Sequence, residues 1–244
     1  MSAIRTGGTA VVAGVGAERG LGAELCRSFA AKGYHVLVAG RTPEKIAQVA
    51  ETICETGGSA ESVTADTTRE DDVIRLFDRA MSPGDGREAA DVVIFNAGNN
   101  RRIDFRELSA EQFEQFWRIG CFGGFLVGRE AARRLAPLGR GTIIFTGASA
   151  SLRGKPGFAH FAAAKAGLRM IAQSMAREYG PLGIHVAHVV IDGGIKSARR
   201  AESADKPDSM LDPDAIAQTY LHLIAQPRSA WAWEVELRPW VEKF

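Results

Sequence analysis

Thr9-Ala-Val-Val-Ala13 and, three residues on, Gly16-Ala-Glu-Arg-Gly20-Leu-Gly22 decide how the chain is to be read. The first is a short β-branched run without polar interruption, as a strand buried on both faces should be. The second is a glycine loop, and a helix is expected from about Ala23. Glycines at such a junction let the backbone turn tightly and approach a pyrophosphate, whose charge is met by the N–H groups and dipole of the helix. In a chain with 27 glycines a glycine triplet is a weak signal by itself. Its place between a first strand and a first helix points to a dinucleotide rather than to a mere tight turn.

Outward from this unit the alternation continues. His35-Val-Leu-Val-Ala39, Asp91-Val-Val-Ile-Phe95, Gly141-Thr-Ile-Ile-Phe145 and Ile184-His-Val-Ala-His-Val-Val190 read as further buried strands. Helix-length segments lie between them. Thr42-Pro43 opens one, Ser109-Ala-Glu-Gln112 is a capping box, and Asp212-Pro213-Asp214 sets an N-cap before a proline. Trp231-Ala-Trp-Glu-Val-Glu-Leu237 alternates large apolar with polar residues and reads as a closing strand. Strand, helix and strand repeated in this way imply a parallel sheet with helices on both faces, a doubly wound α/β architecture. No repeat or linker divides residues 1–244, which read as a single domain. Residues 196–211 form the one long polar stretch without periodicity, expected as a substrate-side loop at the carboxyl edge of the sheet.

Composition narrows the function. With 244 residues, 45% hydrophobic and 24% charged, and 30 Lys and Arg against 29 Asp and Glu, the net charge is +1. Nothing in that balance calls for nucleic acid or an anionic membrane as partner. No apolar run reaches the ~18 residues of a membrane span, and Met1 to Gly8 are not expected to be a secretory signal. Cys26, Cys54 and Cys121 are too scattered for a disulfide framework or a metal site and fit buried thiols of a cytoplasmic protein.

The spacing Gly-x3-Gly-x-Gly resembles that of the short-chain dehydrogenase/reductase family. Asp66, Asn96-Ala97-Gly98, Lys165, the helix opening at Asp212-Pro213 and the closing strand fall in that family's order along nearly the whole chain. The resemblance implies a Rossmann fold with seven parallel strands, adding a third strand that ends just before Asp66. It implies a nicotinamide cofactor held by Gly16, Arg19, Gly20, Leu21 and Gly22. Asp66 would bond the adenine amino group, Asn96, Ala97 and Gly98 would support the sheet beside the cofactor, Lys165 would hold the ribose, and Gly193 would border the nicotinamide. Read without the family, Asp66 is an N-cap and Asn96 a turn residue.

At the end of the second strand, where an acid would accept the ribose hydroxyls of NAD, stand Gly40 and then Arg41. Arg19 is a second cation that in this family tends to face the same phosphate, so NADP(H) is expected over NAD(H). Glu18 argues mildly against this, and Arg41 also reads as an exposed cation at a helix start.

In the family a Tyr-x3-Lys pair carries the chemistry. The tyrosine protonates the carbonyl oxygen as hydride arrives, and the lysine lowers the phenol's pKa. A serine thirteen residues earlier orients the carbonyl, and an asparagine of the preceding long helix supports a proton relay. This chain keeps Lys165 but has Phe161 at the tyrosine position, Ala148 at the serine position and Gly120 at the asparagine position. Phe158 also rules out the enoyl-reductase spacing, and Tyr34, Tyr179 and Tyr220 lie in segments read as remote. Asp192, Ser149, His160, Asn99 and Asn100 are candidate substitutes. A regular strand end would turn Ser149 away from the site. His160 reads as a surface histidine, and Asp192 is open between a substitute acid and a turn-forming residue.

Arg101, Arg102, Arg153, Lys155, Arg199 and Arg200 gather at the expected substrate mouth. An anionic substrate would explain them, but Glu202, Asp205 and Asp208 nearby favour a mixed solvated surface. The helix from Glu111 to Arg129 carries more aromatics than one sheet-facing stripe holds, and its glycines suit close approach of another backbone. A homo-oligomer, dimer or tetramer, is therefore expected. The leading reading is an NADP(H)-binding oxidoreductase with an atypical Phe-x3-Lys site. The alternative is a non-catalytic nucleotide-binding sensor or subunit. A cofactor-free lyase of the halohydrin dehalogenase kind is disfavoured, since those keep Ser and Tyr and lose the glycine loop.

Overall fold

The computed structural model describes residues 8–197 and 200–241. Seven strands, β1 (Thr9–Ala13), β2 (His35–Gly40), β3 (Ser59–Thr64), β4 (Ala90–Phe95), β5 (Gly141–Thr146), β6 (Ile184–Ile191) and β7 (Glu234–Leu237), pair in parallel in the order β3-β2-β1-β4-β5-β6-β7. The order reverses between β1 and β4, and in sheets wound this way the crevice beyond the strand ends at that point receives ligands.

Alternation along the buried strands sorts the helices. Ala10, Val12, Val36 and Val38 point into one apolar layer with α1 (Leu21–Ala31), α2 (Pro43–Glu55) and α7 (Pro213–Ala225). Val11, Ala13, Leu37 and Ala39 point into the other, with α3 (Glu70–Met81), α5 (Gly123–Leu135) and α6 (Ala159–Tyr179). Strands β1, β2, β4, β5 and β6 feed both layers, which is why their sequence runs are largely apolar.

The expected start signals operate. Ser109 and Gln112 form the reciprocal capping box of α4 (Ala110–Trp117), and the Asp212 side chain caps α7 ahead of Pro213. Strand β3 has no apolar run; it is an edge strand, and Ser62 and Thr64 face solvent. The closing strand is shorter than expected and begins at Glu234.

The long helix departs from the expected single rod. Between α4 and α5 residues Arg118–Phe122 form a π-turn, so Gly120 and Cys121 sit in a local widening. The glycines serve the chain's own packing, a correction to the expectation that another subunit's backbone approaches them. A Cβ on Gly120 would lie 3.0 Å from that of Ala164, and one on Gly128 would lie 2.9 Å from Met175 and Phe145. Gly124 is likewise closed off by Leu168, and Gly167 by the Cys121 sulfur.

Candidate active site

Three adjoining cavities follow the carboxyl edge of the sheet. The first, about 250 Å³, is bordered by Gly16, Gly40, Arg41, Lys45 and Asp66. The second, about 370 Å³, is bordered by Gly20, Leu21, Ala148, Phe161 and Lys165. The third, about 490 Å³, is bordered by Arg101, Arg153, Phe158 and Asp192. Gly98 and Asn99 border the first two, and Asn100, Ser149, Phe161, Gly193 and Arg200 border the last two. The three make one trough across the switch point.

The glycine loop shapes the first half. Gly14 has φ +94°, and a side chain there would collide with the backbone of Ala97, so β1 leaves the sheet hard against the Asn96-Ala97-Gly98 turn. Asn96 fastens that turn: its N–H bonds Ala13 O at 2.8 Å and its Nδ2 donates to Gly14 O at 3.4 Å. A Cβ on Gly16 would meet nothing within 4 Å, so the loop is open to the trough. Gly20 caps α1 without a side-chain acceptor, which leaves N–H groups of the first helical turn available to an anion. Asp66 is not the N-cap read for it, since α3 is capped at Arg69. Its Oδ1 accepts from Thr68 N and Oγ1 at 2.9 and 2.8 Å, a turn-forming role, while the residue borders the first cavity.

Arg41 stands beside the first cavity as expected, but Arg19 does not join it. Arg19 borders a separate recess with Arg27, Lys196 and Asp212. The second cation at the first cavity is Lys45, which the sequence reading missed. Its spacing from Arg41, four residues across the start of α2, was the available signal.

Lys165 is buried in α6 and its Nζ donates to Thr146 O at 2.7 Å and Ala97 O at 3.4 Å, leaving a third proton toward the second cavity. Burial pushes its pKa down to about 8, against a small upward pull from the neighbouring Cys121. Phe161, one turn before Lys165, borders both the second and third cavities. Ala148 borders the second, with extended backbone angles of φ −157° and ψ 170°.

Several expectations around this centre change. Ser149 does border the second and third cavities, because β5 ends in a tight turn over Ser149–Ser151 instead of continuing as a strand. His160 is fully buried rather than on the surface, its ring 4.2 Å from that of Phe116. Tyr220 is not remote: its hydroxyl meets Thr146 Oγ1 at 2.8 Å, on the residue whose carbonyl holds Lys165. Complete burial raises its pKa well above the usual phenol value, so it is no proton donor at neutral pH. Asp192 is buried, and both its oxygens accept from Arg153 Nη2, at 2.9 and 2.7 Å, across the fold and not within its own turn.

Behind Ala148 runs a buried chain of hydrogen bonds the sequence did not reveal. Arg169 donates to both oxygens of Glu234 at 2.6 and 2.7 Å, and Glu234 Oε2 lies 3.0 Å from His188 Nδ1. His188 Nε2 lies 3.3 Å from Ser151 Oγ, which accepts the Ala148 N–H at 3.1 Å. The carboxylate accepts only, so Nδ1 carries the proton and Nε2 accepts from Ser151. Ser151 is thus no exposed nucleophile but a strut that ties the Ala148 turn to β6 and β7.

Burial pushes the His188 pKa down to about 4, with Glu234 pulling the other way. The folded state therefore binds this proton less readily than the unfolded chain, whose histidine titrates near 6.5. Stability from this site is complete above pH 6.5 and is lost as pH falls toward about 4, by ~3 kcal/mol at 1.36 kcal/mol per unit. Urea unfolding at pH 7 and pH 4 of wild type and His188→Gln checks this. Wild type should lose more between the two pH values by about that amount, and equal losses would contradict the assignment.

The family model described as short chain dehydrogenase matches residues 10–208. A crystal structure of a short-chain dehydrogenase from Rhodopseudomonas palustris is 39% identical, with a TM-score of 0.82 over 97% of this chain and 100% of that one. The 3beta-hydroxysteroid dehydrogenase 1 of Eggerthella lenta is 32% identical over 218 residues, 87% of this chain and 78% of that protein. The Uncharacterized oxidoreductase YuxG of Bacillus subtilis is 30% identical over 212 residues, 84% of this chain. That stretch is 30% of YuxG's own length, so the chain spans under a third of this relative.

Proposed function

The chain belongs to the short-chain dehydrogenase family, and from that premise we propose that it is an oxidoreductase binding NADP(H) in preference to NAD(H), with a Phe-x3-Lys active site. The observation that carries this reading is the continuity of the trough from Arg41 and Lys45 at one end to Lys165 and Phe161 in the middle. The donors fit a dinucleotide. Free N–H groups at the start of α1 suit a pyrophosphate, Asp66 an adenine amino group, and Arg41 with Lys45 a 2′-phosphate beside Gly40. A nicotinamide nucleotide bound there supplies or accepts a hydride.

The chain's own residues then do the following. Lys165 remains largely protonated at neutral pH and offers one N–H to a ribose or substrate oxygen. Phe161 fills the tyrosine's place with a ring that excludes water and has no proton to give. Asp192, held by Arg153, orients that guanidinium at the far wall and is not free to act as an acid. Loss of a positioned general acid costs roughly 100- to 10,000-fold in rate, while positioning of reactants, which can contribute more, remains.

A panel of ketones, aldehydes and enones, with NADPH oxidation as readout, tests the reading. Turnover should be slow. A wild type that reduces simple ketones at the family's ordinary rates would contradict it. Cofactor binding without turnover on any substrate would favour the non-catalytic sensor instead.

We also propose a homo-oligomer, on family resemblance and on the aromatic face of α4 and α5. Phe113, Trp117 and Phe125 remain 39%, 37% and 40% exposed there, with Phe122 among them. Light scattering at micromolar concentration should give a dimer or tetramer. A monomer would overturn this.

A further inference from the structure

We infer that the third cavity is an anion-binding substrate site, taking a small molecule with a carboxylate or phosphate group; this rests on the reading of the trough as a cofactor and substrate cleft. Arg101, Arg102, Arg153, Lys155 and Arg200 border it, against one carboxylate, that of Asp192. Both oxygens of that carboxylate are already taken by Arg153, so it neutralises none of the others. The whole chain carries a net charge of only +1, so this concentration of cations is local and not a consequence of a basic protein.

Two of the three acids that favoured a mixed surface are engaged elsewhere: Glu202 pairs with Lys196 at 3.1 Å and Asp208 accepts from Trp240 Nε1 at 3.4 Å. Asp104, a further acid nearby in the chain, is paired with Arg106. None of Glu202, Asp208 and Asp104 borders the cavity, and neither does Asp205. Arg199 lies outside the described residues and plays no part here. Arg101, Lys155 and Arg200 make no ion pair with a described residue, and all three are exposed, so each can turn its charge on a ligand.

The cavity holds about 490 Å³, room for a small metabolite rather than a macromolecule. Its inner wall is apolar, made by Phe158, Phe161 and Ala150. Phe161 and Ser149 also border the cavity that holds Lys165, so the reacting carbon belongs at that shared edge and the anionic group at the basic rim. Guanidinium forks match carboxylate and phosphate alike. Asp192 acts here as a positioning residue, fixing one fork, Arg153, against the cavity wall.

The test is calorimetric titration of malonate and of inorganic phosphate, at constant ionic strength, into free protein and into NADPH-saturated protein. Constant ionic strength removes general screening, and NADPH occupies the Arg41 end, where free phosphate would otherwise bind. Wild type should bind at least one of the two anions. Arg101→Gln with Lys155→Gln should weaken that binding about 10- to 100-fold and leave NADPH affinity unchanged. Tighter malonate than phosphate identifies a carboxylate substrate, and the reverse a phosphomonoester. No binding of either anion, or binding that ignores the double substitution, overturns the inference whether or not NADPH binds. If NADPH fails to bind but the anion binds in a manner dependent on Arg101 and Lys155, the site stands and the cofactor reading falls.

Discussion

Phe161→Tyr combined with Ala148→Ser should raise NADPH-dependent carbonyl reduction by roughly 100-fold or more, the contribution expected of a restored general acid. Phe161 already borders the cavities on both sides of the reacting position, so a hydroxyl on its ring would enter open space rather than packed core. Lys165 lies one turn on along α6, and its charge would lower the new phenol's pKa from ~10. Ala148 borders the same cavity in extended backbone that a serine adopts without strain. Gly120→Asn, the third family residue, is left out because a Cβ there would already lie 3.0 Å from Ala164, which the helix backbone holds in place. The assay is the carbonyl panel with wild type, the double variant and Asp192→Asn. No gain in the double variant, together with a loss in Asp192→Asn, would show instead that the chain uses a rebuilt site.

Arg41→Asp should reverse the cofactor preference. The change removes a charge-assisted donor from the first cavity and places a carboxylate where a 2′-phosphate would sit, while the same carboxylate can accept from both ribose hydroxyls of NADH. Losing one such bond is worth about 1.5–3 kcal/mol, and repulsion adds to it. NADPH affinity should therefore fall about 100-fold, and NADH affinity should hold or improve. Lys45 remains and tempers the effect, so Arg41→Asp with Lys45→Glu should go further. Parallel losses for both cofactors would show that Arg41 has no part in recognising the phosphate.

The sheet was legible because buried parallel strands leave a plain mark, a short run rich in apolar and β-branched residues, and five of the seven carry it. Strand β3 left none, since an edge strand with one face in solvent needs no such run. Capping chemistry at Ser109 and Asp212 could be read directly because it is local. What could not be read was set by contacts between distant segments. The π-turn at Arg118–Phe122 has no sequence pattern of its own, and the glycines around it are explained only by Ala164, Leu168 and Met175 packing across from α6.

The same division holds at the site. The glycine loop, Asn96 and Lys165 were found by spacing along the chain. Burial of His160, the reach of Tyr220 to Thr146 and the Asp192–Arg153 pair depend on elements that meet only in the fold. Arg19 borders a different recess from Arg41, and that too depends on the fold, since spacing along the loop does not say which way a side chain turns. In sequence the basic residues are offset by acids of the 196–211 loop, but Glu202 turns to Lys196, Asp208 to Trp240, and none of the loop's acids borders the cavity.

The central claim is that this trough is a nicotinamide-nucleotide site that favours the 2′-phosphate. Calorimetric titration of the unmodified protein with NADPH and with NADH tests it most directly. The account predicts one saturable site per chain with NADPH bound more tightly. Equal affinities would contradict the preference, and no binding of either cofactor would contradict the claim itself.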